Sequence, residues 1–444
     1  MKYENWSLGY LIIKVYVAAA HRITHKKIVV TGRKNIPKNK PVVLAPNHQN
    51  GLSDSLAILT TILLQPVWLS RADLFRTKIA RPFLRFIKIM PVYRIRDGKE
   101  NLGKNDKTFA DSINVLKNNK VLALFPEAAH SGRRHSIPHK KAVPRIVFMA
   151  EEKYNFELDI QVIPVGLYYS HFSNFGRNLI VNYGEPIAVK AYADKYKENQ
   201  QATIIELRND IREKLLPLTL DIRSIKYYEA FEQLRSIAGT AFRKKLQLKK
   251  SLLNQFKADQ QLVAKLDNLE IKNPEMAEEL AARASAFSLK LKKLKLRNWV
   301  VSNEGKNPLM FLLNKLLLFV TLPLFLYGFL LNIILFAFID IVVKKKVKNP
   351  VFWSTFSIVA GLVLFPIFYF TLLAIAWTYL PTPWCKIGFL VSLPVIGRFA
   401  FAWYILFKKT VGRFRIIKMA FFNKTAFQSL VNEKDELVEE VLKL

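Results

Sequence analysis

Between residues 27 and 219 the chain repeats one rhythm: a short apolar run, a turn residue, then a longer stretch with apolar positions three and four apart. The short runs at 28–31, 42–45, 121–125, 159–165 and 179–183 predict strands, and the stretches at 53–64, 72–89, 106–118 and 143–152 predict helices. Gly32, Pro37, Pro41 and Gly184-Glu185-Pro186 punctuate them. The expected class is α/β, a mixed sheet flanked by helices, over 27–219.

The pattern changes on either side. Residues 6–20 carry Trp6, Leu8, Tyr10, Ile12, Val15 and Tyr16 but are interrupted by Lys14, which predicts, within 1–26, an amphipathic helix in the membrane interface or packed on the domain. Residues 220–305 are rich in Lys, Arg, Leu, Ala and Gln and read as long polar helices, restarted at Asn273-Pro274-Glu275. Their end, 289–297, alternates Leu with Lys and offers a basic face to anionic lipid. Within 306–410, the stretches 316–343, 351–380 and 387–407 are each long and apolar enough to cross about 30 Å of hydrocarbon. Pro323, Pro366 and Pro394 interrupt them, leaving kinked spans or re-entrant hairpins open. For 316–343 a hairpin is favoured, because cytoplasmic domains on both sides of it require entry and exit on one face. Residues 411–444 are expected as a cytoplasmic tail.

Charge sharpens this picture. Lys and Arg number 68 against 34 acidic residues, a formal net charge of +34, which calls for an anionic partner. With 51% hydrophobic residues and a mean hydropathy of +0.11, that partner is a lipid surface and not nucleic acid. Clusters at 344–348 and 408–418 mark the cytoplasmic side of an integral membrane protein, here expected in a bacterial inner membrane. The single cysteine, Cys385, excludes an internal disulfide and a cysteine zinc cluster. Lys14 and the lack of a small-residue cleavage site argue against a cleavable signal peptide.

Chemistry concentrates after the strands. Pro46-Asn47-His48-Gln49-Asn50-Gly51-Leu52-Ser53-Asp54 follows the second strand, with a histidine and a carboxylate suited to a general base and its orienting partner. Six residues turn a helix by roughly 240°, so the pair cannot share a continuous helical face. His48 is therefore expected on a loop bent at Gly51, with Ser53 capping the helix. Arg94 follows Ile89-Met90-Pro91-Val92-Tyr93, and Glu127 follows Leu124-Phe125-Pro126, ahead of His130, Arg133, Arg134, Lys140 and Lys141. Pro164 interrupts a further strand, Val162-Ile163-Pro164-Val165. Guanidinium groups at strand ends suit a phosphate-bearing substrate.

These blocks, in this order from His48 to Pro164, resemble the glycerolipid acyltransferases, the family of 1-acylglycerol-3-phosphate and glycerol-3-phosphate acyltransferases. The resemblance extends to about Ile187. It implies an acyltransferase-like sheet with His48 as the base that deprotonates the acceptor hydroxyl and Asp54 as the residue that orients it. It further implies acceptor binding by Asn47, Arg94, Phe125, Pro126 and Glu127, with Pro164 as the proline of the fourth block. Two departures stand out. Five residues separate His48 from Asp54 where the family has four, and Ser53 occupies the usual aspartate place. The family's Gly-Thr-Arg-Ser after the glutamate is replaced by Ala128-Ala129-His130-Ser131, so Arg133 or Arg134 is expected to take over the phosphate contact.

The resemblance implies transfer of an acyl group from acyl-CoA or acyl carrier protein to 1-acylglycerol-3-phosphate, giving phosphatidic acid, with no cofactor and no metal. Its partners are then membrane lipids, the acyl thioester and the phosphate-bearing acceptor. Glycerol-3-phosphate or dihydroxyacetone phosphate is the alternative acceptor, and the altered block also keeps a lyso-aminolipid open. From another class, a non-catalytic membrane organiser would use 220–305 to recruit partners, but it has no need of His48, Asp54, Arg94 and Glu127 together.

Overall fold

The computed structural model describes residues 2–94, 98–173, 175–302 and 305–444. They form two compact units. The first comprises Met1–Thr219 together with a distant stretch, Asn349–Ile358; the second comprises Leu220–Lys348 and Val359–Leu444.

The first unit opens with α1 (Leu8–Thr24), β1 (His25–Thr31), β2 (Val42–Pro46) and α2 (Leu52–Leu59). Next come β3 (Val67–Arg71), α3 (Ala80–Phe86), β4 (Ile89–Val92), α4 (Asn105–Lys117), β5 (Val121–Ala123) and α5 (Ala142–Lys153). Then follow β6 (Gln161–Tyr169), β7 (Arg177–Tyr183), β8 (Ile187–Ala188), α6 (Ala193–Glu198) and α7 (Gln200–Leu215). The strand order is β1-β7-β6-β2-β5-β3-β4, with β8 beside β6. Strands β6, β2, β5, β3 and β4 run parallel, and β7 joins antiparallel to β6 and parallel to β1. This is the expected mixed α/β sheet.

Its central strands are apolar without alternation because both faces are covered. In β2, Val43 and Ala45 enter the core shared with Val115, Val147 and Leu207 of the flanking helices. Val42 and Leu44 point to the opposite core, with Ala57 and Ile58 of α2. The continuous helix expected at 72–89 does not form. Ala72–Phe75 is a 3-10 turn, and α3 starts afresh at Ala80, two residues ahead of Pro82, which has no N–H to carry a longer helix through. Strand β3, which the apolar pattern did not single out, occupies Val67–Arg71 just after Pro66.

Helix α1 uses two faces. Tyr10, Val17 and His21 are buried, and the Lys14 ammonium donates to the carbonyls of Ile62 and Leu64 at 2.7 and 2.6 Å. Leu8, Ile12 and Val15 on the same helix are exposed. The helix is thus packed on the domain and still presents an apolar face.

The second unit contains α8 (Tyr228–Lys245), α9 (Leu252–Lys272), α10 (Pro274–Lys293), α11 (Pro308–Val320) and α12 (Leu322–Lys346). Helix α13 (Trp353–Ala376) begins in the first unit and ends in the second, which closes with α14 (Pro383–Phe422) and α15 (Lys424–Lys443). Among the described residues, three helical stretches, 322–346, 350–379 and 383–422, are long and apolar enough to cross a membrane. A break at Thr321, just ahead of Pro323, separates α11 from α12, whereas Pro366 and Pro394 lie inside continuous helices. Gly328 of α12 lies where a Cβ would stand 2.5 Å from the Ile396 carbonyl, so the absence of a side chain sets the α12–α14 approach. Residues from 411 onward are the end of α14 and then α15, whose Phe427, Leu430 and Leu437 are buried. Glu433 of α15 pairs with Lys290 of α10 at 2.6 Å, and Glu436 and Glu440 pair with Arg283, so part of the basic face of α10 is neutralised within the unit.

Candidate active site

Parallel strands β2, β5, β3 and β4 end on one edge of the sheet, where open α/β sheets form their ligand crevices. The loops after β2, β5 and β4 carry His48, Glu127 and Arg94, and Arg71 is the last residue of β3.

Asn47 continues the β2–β6 pairing by side chain. Its Oδ1 accepts from Leu167 N at 2.7 Å and its Nδ2 donates to the Leu167 carbonyl at 3.2 Å. The amide is therefore occupied in fixing the start of the loop, a structural use and not the substrate contact the motif implied. His48 then leaves the strand. Its Nδ1 lies 2.9 Å from Asp54 Oδ2, and the ring is mostly buried, its side chain 15% exposed. A carboxylate only accepts, so Nδ1 carries a proton, and in the neutral ring the lone pair is then on Nε2.

The same Asp54 oxygen accepts from the backbone N–H groups of Gln49 and Asn50 at 2.8 and 2.7 Å. Asp54 sits in the first turn of α2, where the helix dipole also favours a negative charge. Gly51, at φ 53° and ψ −128°, makes the bend between loop and helix. Ser53 does not cap the helix as expected. It lies one residue inside it, fully buried, and accepts from Arg177 Nη2 at 2.9 Å. Arg177 also donates from Nε to His25 Nε2 at 3.1 Å and to the Phe172 carbonyl, and stands over the Tyr169 ring. Burial pulls its pKa down, while the charge of Asp54 works against that fall.

Phe125 stacks on the His48 ring with centroids 3.9 Å apart and planes 18° apart. Pro126 accepts through its carbonyl from Lys140 N at 2.7 Å. Glu127 is 1% exposed, and its Oε1 accepts from the backbone N–H of His48 at 3.4 Å. His130, grouped in the sequence with the basic residues, meets His48 edge-on at 4.9 Å. Burial and the neighbouring His48 push it down to about 4, so it is neutral near pH 7. Ala128, at the family's glycine place, adopts φ 56°.

Arg94 and Arg71 converge on one carboxylate. Arg71 Nε is 3.1 Å and Arg94 Nη2 3.7 Å from Asp73 Oδ1, which leaves a net positive pair at the ends of adjacent strands. Sequence reading missed Arg71, because β3 itself went unrecognised. Neither Arg133 nor Arg134 joins this pair. Arg133 is exposed, while Arg134 is buried, donating to the carbonyls of Tyr169 and Ser170 and stacked over Tyr168 and Phe172. Pro164 lies within β6 opposite Ala45, its carbonyl accepting from Gly184 N at 2.9 Å, a part of the sheet and not of the crevice.

The arrangement has an imidazole at one end and cations at the other. His48 meets His130, His130 meets Phe352 at 5.0 Å, and Phe352 lies under the Arg71 guanidinium. A molecule carrying both a hydroxyl and a phosphate matches those two ends.

Comparison with known proteins bears on the same region. Residues 27–168 match the family model described as Acyltransferase. Over 116 residues the chain is 28% identical to glycerol-3-phosphate O-acyltransferase 2 of Saccharomyces cerevisiae, covering 26% of this chain and 16% of that protein. It is 22% identical to a 1-acyl-sn-glycerol-3-phosphate acyltransferase of Borreliella burgdorferi, covering 47% of this chain and 79% of that protein. The crystal structure of the 1-acyl-sn-glycerophosphate (LPA) acyltransferase PlsC from Thermotoga maritima covers 46% of this chain and 78% of its own, at 19% identity and a TM-score of 0.33. The chain therefore spans about a sixth of the length of the yeast protein and most of the two bacterial ones.

Proposed function

We propose that the chain, whose residues 27–168 match the acyltransferase family model, transfers a fatty acyl group from an acyl thioester to the hydroxyl of 1-acylglycerol-3-phosphate, giving phosphatidic acid. The observation that carries this reading is the His48–Asp54 pair, which leaves His48 Nε2 as a base, set at one end of an aromatic wall whose other end holds Arg71 and Arg94.

In this mechanism the acceptor phosphate pairs with the two guanidinium groups, which turns an encounter into a held geometry. Nε2 of His48 takes the hydroxyl proton as the oxygen attacks the thioester carbon. The resulting imidazolium is stabilised by Asp54, whose place is fixed by the Gln49 and Asn50 amides. Collapse of the tetrahedral intermediate breaks the C–S bond, and the departing thiolate recovers the proton from His48. No electrons change hands, so the chemistry asks for no redox cofactor. The donor is acyl-CoA or acyl carrier protein.

Glycerol-3-phosphate is the second reading, favoured by the yeast relative and by the fact that an arginine pair reads phosphate without reading the rest of the acceptor. A non-catalytic organiser is disfavoured, since the buried His48–Asp54 and Glu127 arrangement would then serve nothing. Membrane-spanning helices hold the domain where lipid acceptors reside, and the lysines at 344–348 favour a cytoplasmic side for the adjoining catalytic segment.

The test uses the full chain in lipid with labelled long-chain acyl-CoA and acyl carrier protein. Lysophosphatidic acid and glycerol-3-phosphate are supplied in parallel. Transfer to lysophosphatidic acid alone supports the first reading, and transfer to glycerol-3-phosphate supports the second. No transfer to either from either donor overturns both.

A further inference from the structure

The stretch Asn349–Ile358 runs from just after α12 into the first residues of α13, both helices apolar enough to cross a membrane, yet it belongs to the catalytic unit. Its residues lie on the His48–Asp54 loop. Thr355 Oγ1 accepts from Leu52 N, the first N–H of α2, at 3.1 Å. That N–H has no partner within its own helix, and Gly51 at the N-cap has no side chain to offer. Ser354 Oγ is 3.2 Å from Ser53 Oγ; since Arg177 donates to Ser53, the Ser53 hydroxyl is free to donate onward to Ser354. Both serines are buried.

Two glycines make this approach possible. A Cβ on Gly51 would stand 2.5 Å from Thr355 Oγ1, and one on Gly132 would stand 3.2 Å from Val351. Both residues also adopt positive φ. Between them Phe352 packs edge-on against His130, which itself abuts His48. The stretch therefore completes the α2 cap, holds Ser53 and closes the aromatic wall.

We infer that Thr355 is a positioning residue for the catalytic loop, so that the head of a helix long and apolar enough to cross a membrane sets the geometry of the His48–Asp54 pair. This rests on the reading of His48 as the base. Thr355 supplies, from about 300 residues away, an acceptor for the first N–H of α2, one of the donors that the start of a helix leaves without a partner. Without it, the first turn of α2 loosens, and with it the carboxylate that orients the imidazole. The acceptor's own contacts, at Arg71 and Arg94, are not touched.

The experiment compares the wild type, Thr355→Val and Thr355→Ser as full-length chains in lipid, by two independent readouts. In hydrogen exchange, T355V should speed exchange of the peptide spanning 49–56 by about tenfold or more, and T355S should restore it, with the β2 and β6 peptides unchanged. In acyl transfer, T355V should lower kcat about tenfold with acceptor KM within about twofold, and T355S should return kcat to within about twofold. Unchanged exchange in T355V overturns the inference, as does an unchanged kcat, a loss confined to KM, or a failure of serine to restore. If the wild type transfers no acyl group at all, the reading of His48 as the base falls, and the exchange arm alone still decides whether Thr355 holds the loop.

Discussion

Asp54 Oδ2 lies 2.9 Å from His48 Nδ1 while it also accepts from the amides of Gln49 and Asn50. One oxygen thus fixes the imidazole and the loop that carries it. Three donors on one carboxylate oxygen leave it little freedom, so the imidazole is oriented before any substrate arrives.

Replacing His48 by Ala removes the base, and turnover should fall by roughly 10²–10⁴ with little change in stability. Asp54→Asn should cost activity too, because an amide can present a donor to Nδ1 and impose the wrong tautomer. Steady-state acyl transfer with thermal unfolding alongside separates the two effects. An H48A enzyme with near-normal turnover would remove the histidine from the mechanism.

Arg71 and Arg94 share Asp73, so each should be felt mainly through the acceptor. Charge-assisted hydrogen bonds contribute about 1.5–3 kcal/mol, so Arg94→Gln and Arg71→Gln should each reduce kcat/KM for a phosphate-bearing acceptor by roughly 10–100-fold. A neutral lyso-lipid acceptor should feel far less. Equal losses on both kinds of acceptor would deny the arginines a phosphate role.

Ala128 holds a left-handed backbone at φ 56°, a conformation that costs a non-glycine residue about 1–2 kcal/mol. Ala128→Gly relieves that strain against the entropy glycine loses on folding, so a net gain of about 0.5–1 kcal/mol is expected. A raised thermal midpoint would show it; a lowered one would mean the alanine methyl contributes packing that outweighs the strain.

Burial holds His130 and His139 down to about 4, and in His139 the nearby Arg212 and Arg208 add to the effect. Both folded values lie below the unfolded value of about 6.5. The unfolded chain therefore binds more protons between them, and stability falls as pH drops from about 6.5 toward 4. Buried Glu151, raised mainly by desolvation, acts with the opposite sign, so the informative comparison is wild type against His139→Gln. The variant should lose less of its thermal midpoint between pH 7 and pH 4.5. An identical slope would mean His139 is protonated in the folded state.

The sheet was readable because its strands are buried on both faces and carry uninterrupted apolar runs, as in Val42–Pro46. Strand β3 was not, since Val67–Arg71 is short and follows Pro66, and with it went Arg71. His48 and Asp54 were legible as a pair from the resemblance, against its usual spacing, but the settings of Asn47 and Arg134 were not. Asn47 completes a strand pairing and Arg134 is held by carbonyls and aromatic rings contributed by β6 and the loop after it. Thr355 had no local signal at all: a threonine at the head of an apolar helix looks like any other until the sheet brings Leu52 to it.

The catalytic unit is discontinuous in sequence: its second piece, Asn349–Ile358, is complete only about 140 residues after the first ends at Thr219. At about 5–20 residues per second, a ribosome needs roughly 7–28 seconds to supply it. During that interval α12 is synthesised before the residues that cap α2 exist. The Leu52 N–H therefore gains its Thr355 acceptor only after α12 has been made.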